Sequence, residues 1–175
     1  GFSLSGISAI TRGPKTIFHD GKAGGVSFTH DDAFYLDGKR LLLVEHIEGA
    51  DAAVYCLEDD EHSRIVMHGL SQASGNEWFT VNLNNGKIYE YGKTGGKQSY
   101  QDIDDYNWQK TITWYLTRIE DAMGNFMLYE YLYDDFTFYP QYIRYGNNSK
   151  ANNTNLVVNF EYEEKIEECI NIIYA

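Results

Sequence analysis

The chain has 175 residues, with 14 Lys and Arg against 26 Asp and Glu, giving a formal net charge of -12. That length suits one domain with a sizeable core, and 15 Tyr, 9 Phe and 3 Trp supply the apolar surface that intrinsic disorder lacks. The acidity disfavours nucleic-acid backbones and anionic membrane surfaces, both of which need clustered Lys and Arg.

Nothing in the sequence is long enough to insert as a membrane helix. The longest apolar run, Leu41-Leu42-Leu43-Val44, falls far short of the roughly 20 residues required. Residues 1–6 lack the basic and apolar regions of a signal peptide. The first residue is not Met, so the chain reads as a mature product or a piece of a longer protein. Cys56 and Cys169 are far apart in sequence. One long-range disulfide or two free buried thiols both fit, and neither makes a disulfide scaffold.

In chain order, the dominant signal is alternation of apolar and polar residues punctuated by Gly with Asn or Asp, the signature of β-hairpins. Residues 33–36 run into Asp37-Gly38 and return as 39–44. Residues 47–58 contain Ala50, Ala52 and Ala53, which a short helix would accept. The β-branched and aromatic residues at 54–57 favour a strand, turning at 58–62 into 63–67. Residues 78–83 meet Asn84-Asn85-Gly86 and return as 87–91. Gly92 to Lys110 reads as an irregular polar stretch. Residues 114–120 turn at 121–125 and come back as 126–133, a strand with apolar residues on both faces that belongs in the middle of a sheet or under a second layer. Residues 142–145 and 156–162 pair across a polar loop, with Leu156, Val158, Phe160 and Tyr162 on the dry face of a half-buried strand. The acidic stretch 161–170 has some helical character. The sum is an all-β domain of roughly ten to twelve antiparallel strands, forming a curved sheet or two-layer sandwich over residues 1–175.

The motifs for chemistry are weak. Gly92-Lys93-Thr94 ends like a phosphate-binding loop, but Lys87 stands where the first Gly belongs and no helix follows. Asp102, Asp104 and Asp105 lack the Gly and distal Glu of a calcium loop. His62, His68 and Cys56 do not match zinc spacing, and Ser5 lacks a full nucleophile elbow. No cofactor, metal or catalytic residue is expected. The aromatic residues permit a different use: Trp78, Trp108 or Trp114, or the row Tyr129, Tyr131 and Tyr133, could stack on sugar rings if exposed.

Several ordered motifs carry a resemblance. Gly1-Phe2-Ser3-Leu4-Ser5-Gly6, continuing through Arg12 and Pro14, is similar to the pattern G-W-S-L-S-G-L-S-x-I-x-R-C-P, with Phe2 for Trp and Gly13 for Cys. Leu36-Asp37-Gly38, with Arg40 and Leu41, resembles L-D-G-Q-R-L. Trp114, Leu116, Ile119, Asp121, Gly124, Asn125, Tyr129 and Tyr131 resemble W-x-L-x-x-I-x-D-x-x-G-N-x-x-x-Y-x-Y, which is also similar to the tyrosine-containing repeat of Rhs and YD-repeat shells. These patterns belong to the N-terminal domain of the family of the Salmonella virulence plasmid B protein and the B components of insecticidal toxin complexes. The resemblance implies an Rhs/YD-repeat-like β architecture and a non-catalytic shell or docking role within a secreted or cell-surface bacterial toxin protein. It implies partners in the remainder of a parent chain or in other toxin-complex subunits, with the motif residues acting structurally. A secreted or surface carbohydrate-binding module is the alternative, and an enzyme comes third.

Overall fold

A computed structural model describes residues 7–29, 31–70, 77–93, 97–102, 105–134, 137–151 and 156–163, with backbone alone described over 97–102, 105–110, 133–134 and 137. The strands are β1 (Ala9–Gly13), β2 (Ala33–Leu36), β3 (Lys39–His46), β4 (Ala52–Leu57), β5 (Asp60–His68), β6 (Trp78–Asn82), β7 (Ile88–Tyr91), β8 (Lys97–Asp102), β9 (Asp105–Glu120), β10 (Asn125–Asp134), β11 (Thr137–Asn148) and β12 (Leu156–Asn159). One helical turn, α1 (Ile17–Asp20), follows β1. The all-β reading holds, and the strand number falls in the expected range.

Strands β1 to β7 pair with their chain neighbours, β7 pairs with β9, and β9 returns to β1 through Ile10 opposite Trp114. The curved sheet therefore closes into an eight-stranded barrel. An eight-stranded barrel has an interior just wide enough to be filled by side chains. Here Ile10, Phe34, Leu36, Leu41, Tyr55, Ile65, Met67, Phe79, Val81, Tyr91, Trp114 and Leu116 fill it. The rings of Phe34, Phe79 and Trp114 meet at 5.1–5.8 Å between centroids, the tilted and edge-on packing that aromatic quadrupoles favour. A small outer cluster of Ala52, Val54 and Val66 gives β4 a second buried face.

Two extensions grow from β9, the longest strand. Its first half pairs with β8, and its end pairs with β10, which continues into β11 and β12. The expected irregular stretch from Gly92 to Lys110 is thus corrected: most of it is the β8–β9 hairpin. Its many polar residues hid the pairing, because neither strand shows a clear dry face.

The hairpin at Asp37-Gly38 has the positive φ values, 49° and 83°, that a tight two-residue turn requires. Strand β10 lies between β9 and β11 as expected, although Met127 and Leu132 remain exposed. Strand β12 differs from its expected half-buried state. Leu156 and Val158 are 50% and 41% exposed, because no second layer of described residues covers that face. The 164–170 part of the acidic stretch and Cys169 lie outside the described residues, and Cys56 is a free thiol.

Candidate functional site

Arg12 stands near the end of β1, and alternation turns its side chain to the inside of the barrel with Ile10. It is 4% exposed, and a buried guanidinium must be paired and hydrogen-bonded to be tolerated. Its Nη1 donates to the Thr29 carbonyl at 2.6 Å and to Asp32 Oδ2 at 3.1 Å, while Nε donates to the Thr111 carbonyl at 3.2 Å. A second carboxylate, Glu77, lies 3.8 Å from Nη2. The guanidinium carbon is 5.0 Å from the Phe34 ring centroid and 5.5 Å from that of Trp114, so it also rests among aromatic faces. Burial pushes the Asp32 carboxyl up, but hydrogen bonds from Ser27 and Arg12 outweigh it and hold the group below the ordinary carboxylate value.

The motif residues within the described chain sit at joints. Pro14 accepts a hydrogen bond from the Tyr35 hydroxyl at 2.9 Å. Gly13 stands where the family pattern has Cys, and a Cβ there would meet the Tyr35 ring at 2.6 Å. Asp37 accepts from Ser8 Oγ at 2.6 Å and from the Ala9 N–H at 2.9 Å, tying the β2–β3 turn to β1. Arg40 pairs with Asp20 at 2.7 Å and anchors α1. Leu36, Leu41, Trp114 and Leu116 are core, and Ile119 and Tyr129 pack against it.

At the β9–β10 turn, Asp121 accepts from the Met123 and Asn125 N–H groups and from the Asn125 side chain, each at 2.9 Å. Hydrogen bonding from Asn125 holds the Asp121 carboxyl below its ordinary value. Gly124 takes φ 86°, and a Cβ there would also meet Ser149 Oγ at 2.6 Å. The Tyr131 hydroxyl donates to the Leu116 carbonyl at 2.6 Å, and burial raises its pKa. Gly1, Phe2, Leu4 and Gly6 lie outside the described residues.

The aromatic candidates for sugar stacking divide. Trp114 is fully buried. Trp78 is half-buried, with His68 stacked on it at 4.0 Å and the Lys93 ammonium 4.5 Å from its ring centroid, so its ring surface is already occupied. Of the tyrosine row, Tyr131 packs on Tyr115 at 5.2 Å. The side chains of Trp108 and Tyr133 lie outside the described residues. Among the described residues no three His, Cys, Asp or Glu side chains gather as a metal site.

Exposed apolar side chains occur on α1 (Ile17, Phe18), on β3 (Leu43, Val44) and on the β10–β12 extension. Register places Tyr129, Ile143 and Val158 across one face, with Tyr145 and Leu156 beside them. The opposite face is mixed: Arg144 pairs with Glu130, its guanidinium lies 5.3 Å from the Tyr142 ring centroid, and Leu128 and the exposed Val157 stand beside it. Among the described residues, β12 has β11 alone as a neighbour, which leaves its other edge open.

Sequence reasoning missed Asp32 and Glu77. Neither stands in a motif, and both are buried beside an arginine that is distant in sequence. The turn α1 was legible in principle: Thr16 caps it by accepting from the His19 N–H at 3.3 Å, and Gly21 ends it at φ 70°.

The architecture is thus an eight-stranded barrel with an open sheet running off its longest strand. No protein-family profile matches the chain, and no curated protein sequence matches it significantly. Among solved structures it is similar to the N-terminal domain of effector protein SpvB from Salmonella typhimurium strain LT2. That match has a TM-score of 0.61 and 16% identity, and covers 81% of this chain and 52% of that one. It is similar as well to TcdB2-TccC3, with a TM-score of 0.63 and 15% identity over 83% of this chain and 8% of that one. The Photorhabdus luminescens Tc holotoxin pore matches at a TM-score of 0.63 and 17% identity, again over 83% and 8%. The chain thus spans about half the length of the SpvB domain and a small part of the Tc chains. The resemblance read from the sequence motifs is matched at the level of fold.

Proposed function

We propose that this chain is a non-catalytic structural domain of a larger secreted or cell-surface bacterial toxin protein, serving as part of a shell or as a docking scaffold for other modules. The observation that carries this reading is the β10–β12 extension. A sheet with exposed apolar residues whose last strand, among the described residues, has an open edge is a poor surface for an isolated domain. It suits a domain that packs on the rest of its own chain or on another toxin subunit. The matched folds support the reading, since each covers only part of a longer chain. The described motif residues fit a scaffold as well, since they brace turns and strand ends or fill the core. Residues 1–175 then act as one β unit without a cofactor.

Hydrogen exchange on the parent protein, compared with residues 1–175 alone, tests this. Strands β11 and β12 should gain protection in the parent. Proteolysis that frees residues 1–175 as an independent, non-associating unit, with β12 equally exposed in both forms, would count against a scaffold role.

A further inference from the structure

Residues 15–24 make a loop closed at its base by the pairing of Lys15 with Gly24, and α1 stands within it. The loop rests on the outside of the barrel. Leu36 and Leu41 face the core, so alternation turns Tyr35 and Arg40 outward beneath it. The Tyr35 hydroxyl holds the Pro14 carbonyl, and Arg40 Nη2 donates to Asp20 Oδ1 at 2.7 Å. His19 Nε2 lies 3.2 Å from Glu58 Oε1. Inside the loop, the Thr16 N–H donates to Asp20 Oδ2 at 2.8 Å, in return for the cap that Thr16 supplies.

All this fastening presents two apolar side chains to water. Ile17 is 72% and Phe18 87% exposed, and Phe18 is the most exposed large apolar side chain among the described residues. The His19 ring meets that of Phe18 edge-on at 4.8 Å, so the phenyl group is itself held. Ordering a loop costs conformational entropy that burial normally offsets, yet α1 buries none of its own residues. The charges around the turn are unevenly spent. Asp20 pairs with Arg40, Glu58 with His19 and Asp59 with Lys39, whereas Lys15 and Lys22 form no ion pair among the described residues. Two unspent cations thus flank Ile17 and Phe18 in a chain whose net charge is -12.

We infer that α1 is a preformed docking knob: Ile17 and Phe18 enter an apolar pocket with an acidic border on the part of the larger toxin protein outside residues 1–175. Lys15 and Lys22 pair with that border. The inference rests on the reading of this chain as one domain of a larger protein, and it adds a second surface to the β10–β12 extension. Aromatic anchors dominate interfaces, and a rigid one loses little freedom on binding. The acidic border follows from charge complementarity, because the loop's own acids are already taken. A lipid surface fits less well. Anionic headgroups would attract two lysines but repel the rest of the chain.

Hydroxyl-radical footprinting reads Phe18 itself, in residues 1–175 alone and in the parent protein. The Phe18 oxidation rate should fall roughly fivefold or more in the parent, as an anchor in a desolvated pocket requires. Lys15→Glu with Lys22→Glu in the parent should restore most of that rate. Should the double variant fail to fold, Lys22→Glu alone, at an exposed position, serves the same purpose. Phe18 oxidised equally in both forms, or protected as fully with the lysines reversed, would overturn the inference. Protection of Phe18 in residues 1–175 by phosphatidylcholine–phosphatidylserine vesicles would overturn it in favour of a lipid surface. Hydrogen exchange at β12 is read separately. Protection gained there with Phe18 still oxidised removes the knob and leaves the scaffold reading, whereas no protection at either place removes both.

Discussion

The indole N–H of Trp114 donates to the main-chain oxygen of Glu77 at 2.7 Å, joining β9 to the segment that enters β6 across the barrel interior. A buried indole without such a partner would bear the cost of an unsatisfied donor. Trp114→Phe should therefore destabilise the domain by about 2–4 kcal/mol, through lost volume and an orphaned carbonyl together. Urea unfolding monitored by circular dichroism measures this, and a loss under about 1 kcal/mol would show that the site relaxes around the smaller ring.

The β9–β10 turn depends on a residue without a side chain. Gly124 combines positive φ with a close approach to Ser149 Oγ, so Gly124→Ala adds strain and a clash. The expected cost exceeds about 1 kcal/mol. Thermal melts of Gly124→Ala alone and combined with Ser149→Gly measure this: the second change should relieve the clash but not the backbone strain, and it also removes the hydrogen bond from Ser149 Oγ to Glu120.

Asp37 braces β1 and also occupies a left-handed turn position at φ 49°. Asp37→Asn keeps both the turn preference and an acceptor, whereas Asp37→Ala loses each. Alanine should cost about 1–2 kcal/mol and asparagine less than half of that. Equal effects of the two variants would remove the hydrogen bonds to Ser8 and Ala9 from the explanation.

His68 titrates below its ordinary value of 6.5, because burial disfavours the charged ring and Lys93 repels it, while Glu90 acts in the opposite direction. The sign follows from linkage. The unfolded chain binds a proton at His68 more readily than the folded one, so this group removes stability as pH falls from about 6.5 towards the folded value. Lys93→Met should move the His68 titration, followed by its imidazole proton resonances, back towards the ordinary value. A titration unchanged in that variant would assign the shift to burial alone. Loss of the cation over Trp78 should also change the indole fluorescence.

Much of the fold could be read before any coordinates, and the reason is local. Asp37-Gly38, Asn84-Asn85-Gly86 and Asp121 with Gly124 and Asn125 each specify a turn through their own backbone preferences, and the flanking alternation supplies the strands. What could not be read is non-local. Ile10 meets Trp114 only because the sheet's curvature brings β1 and β9 together, and no residue near either position announces it. The exposure of Leu156 and Val158 escaped for the same reason: alternation says which side of a strand is apolar, not whether another layer covers it. Among candidate site residues, the turn and core motifs were legible as structural parts. The Arg12, Asp32 and Glu77 cluster was not, since three charges separated along the sequence carry no pattern until the barrel encloses them.

The closure between β1 and β9 also sets an order of events as the chain is made. Residues 113–115 must leave the ribosome before residues 9–11 acquire their second partner. Until then the earlier hairpins can form, but their inner faces, with Phe34, Ile65, Met67 and Phe79, remain open to water and to other chains. Maturation of this domain is a race between that late join and aggregation, and slowing translation beyond β7 should tilt it towards aggregation.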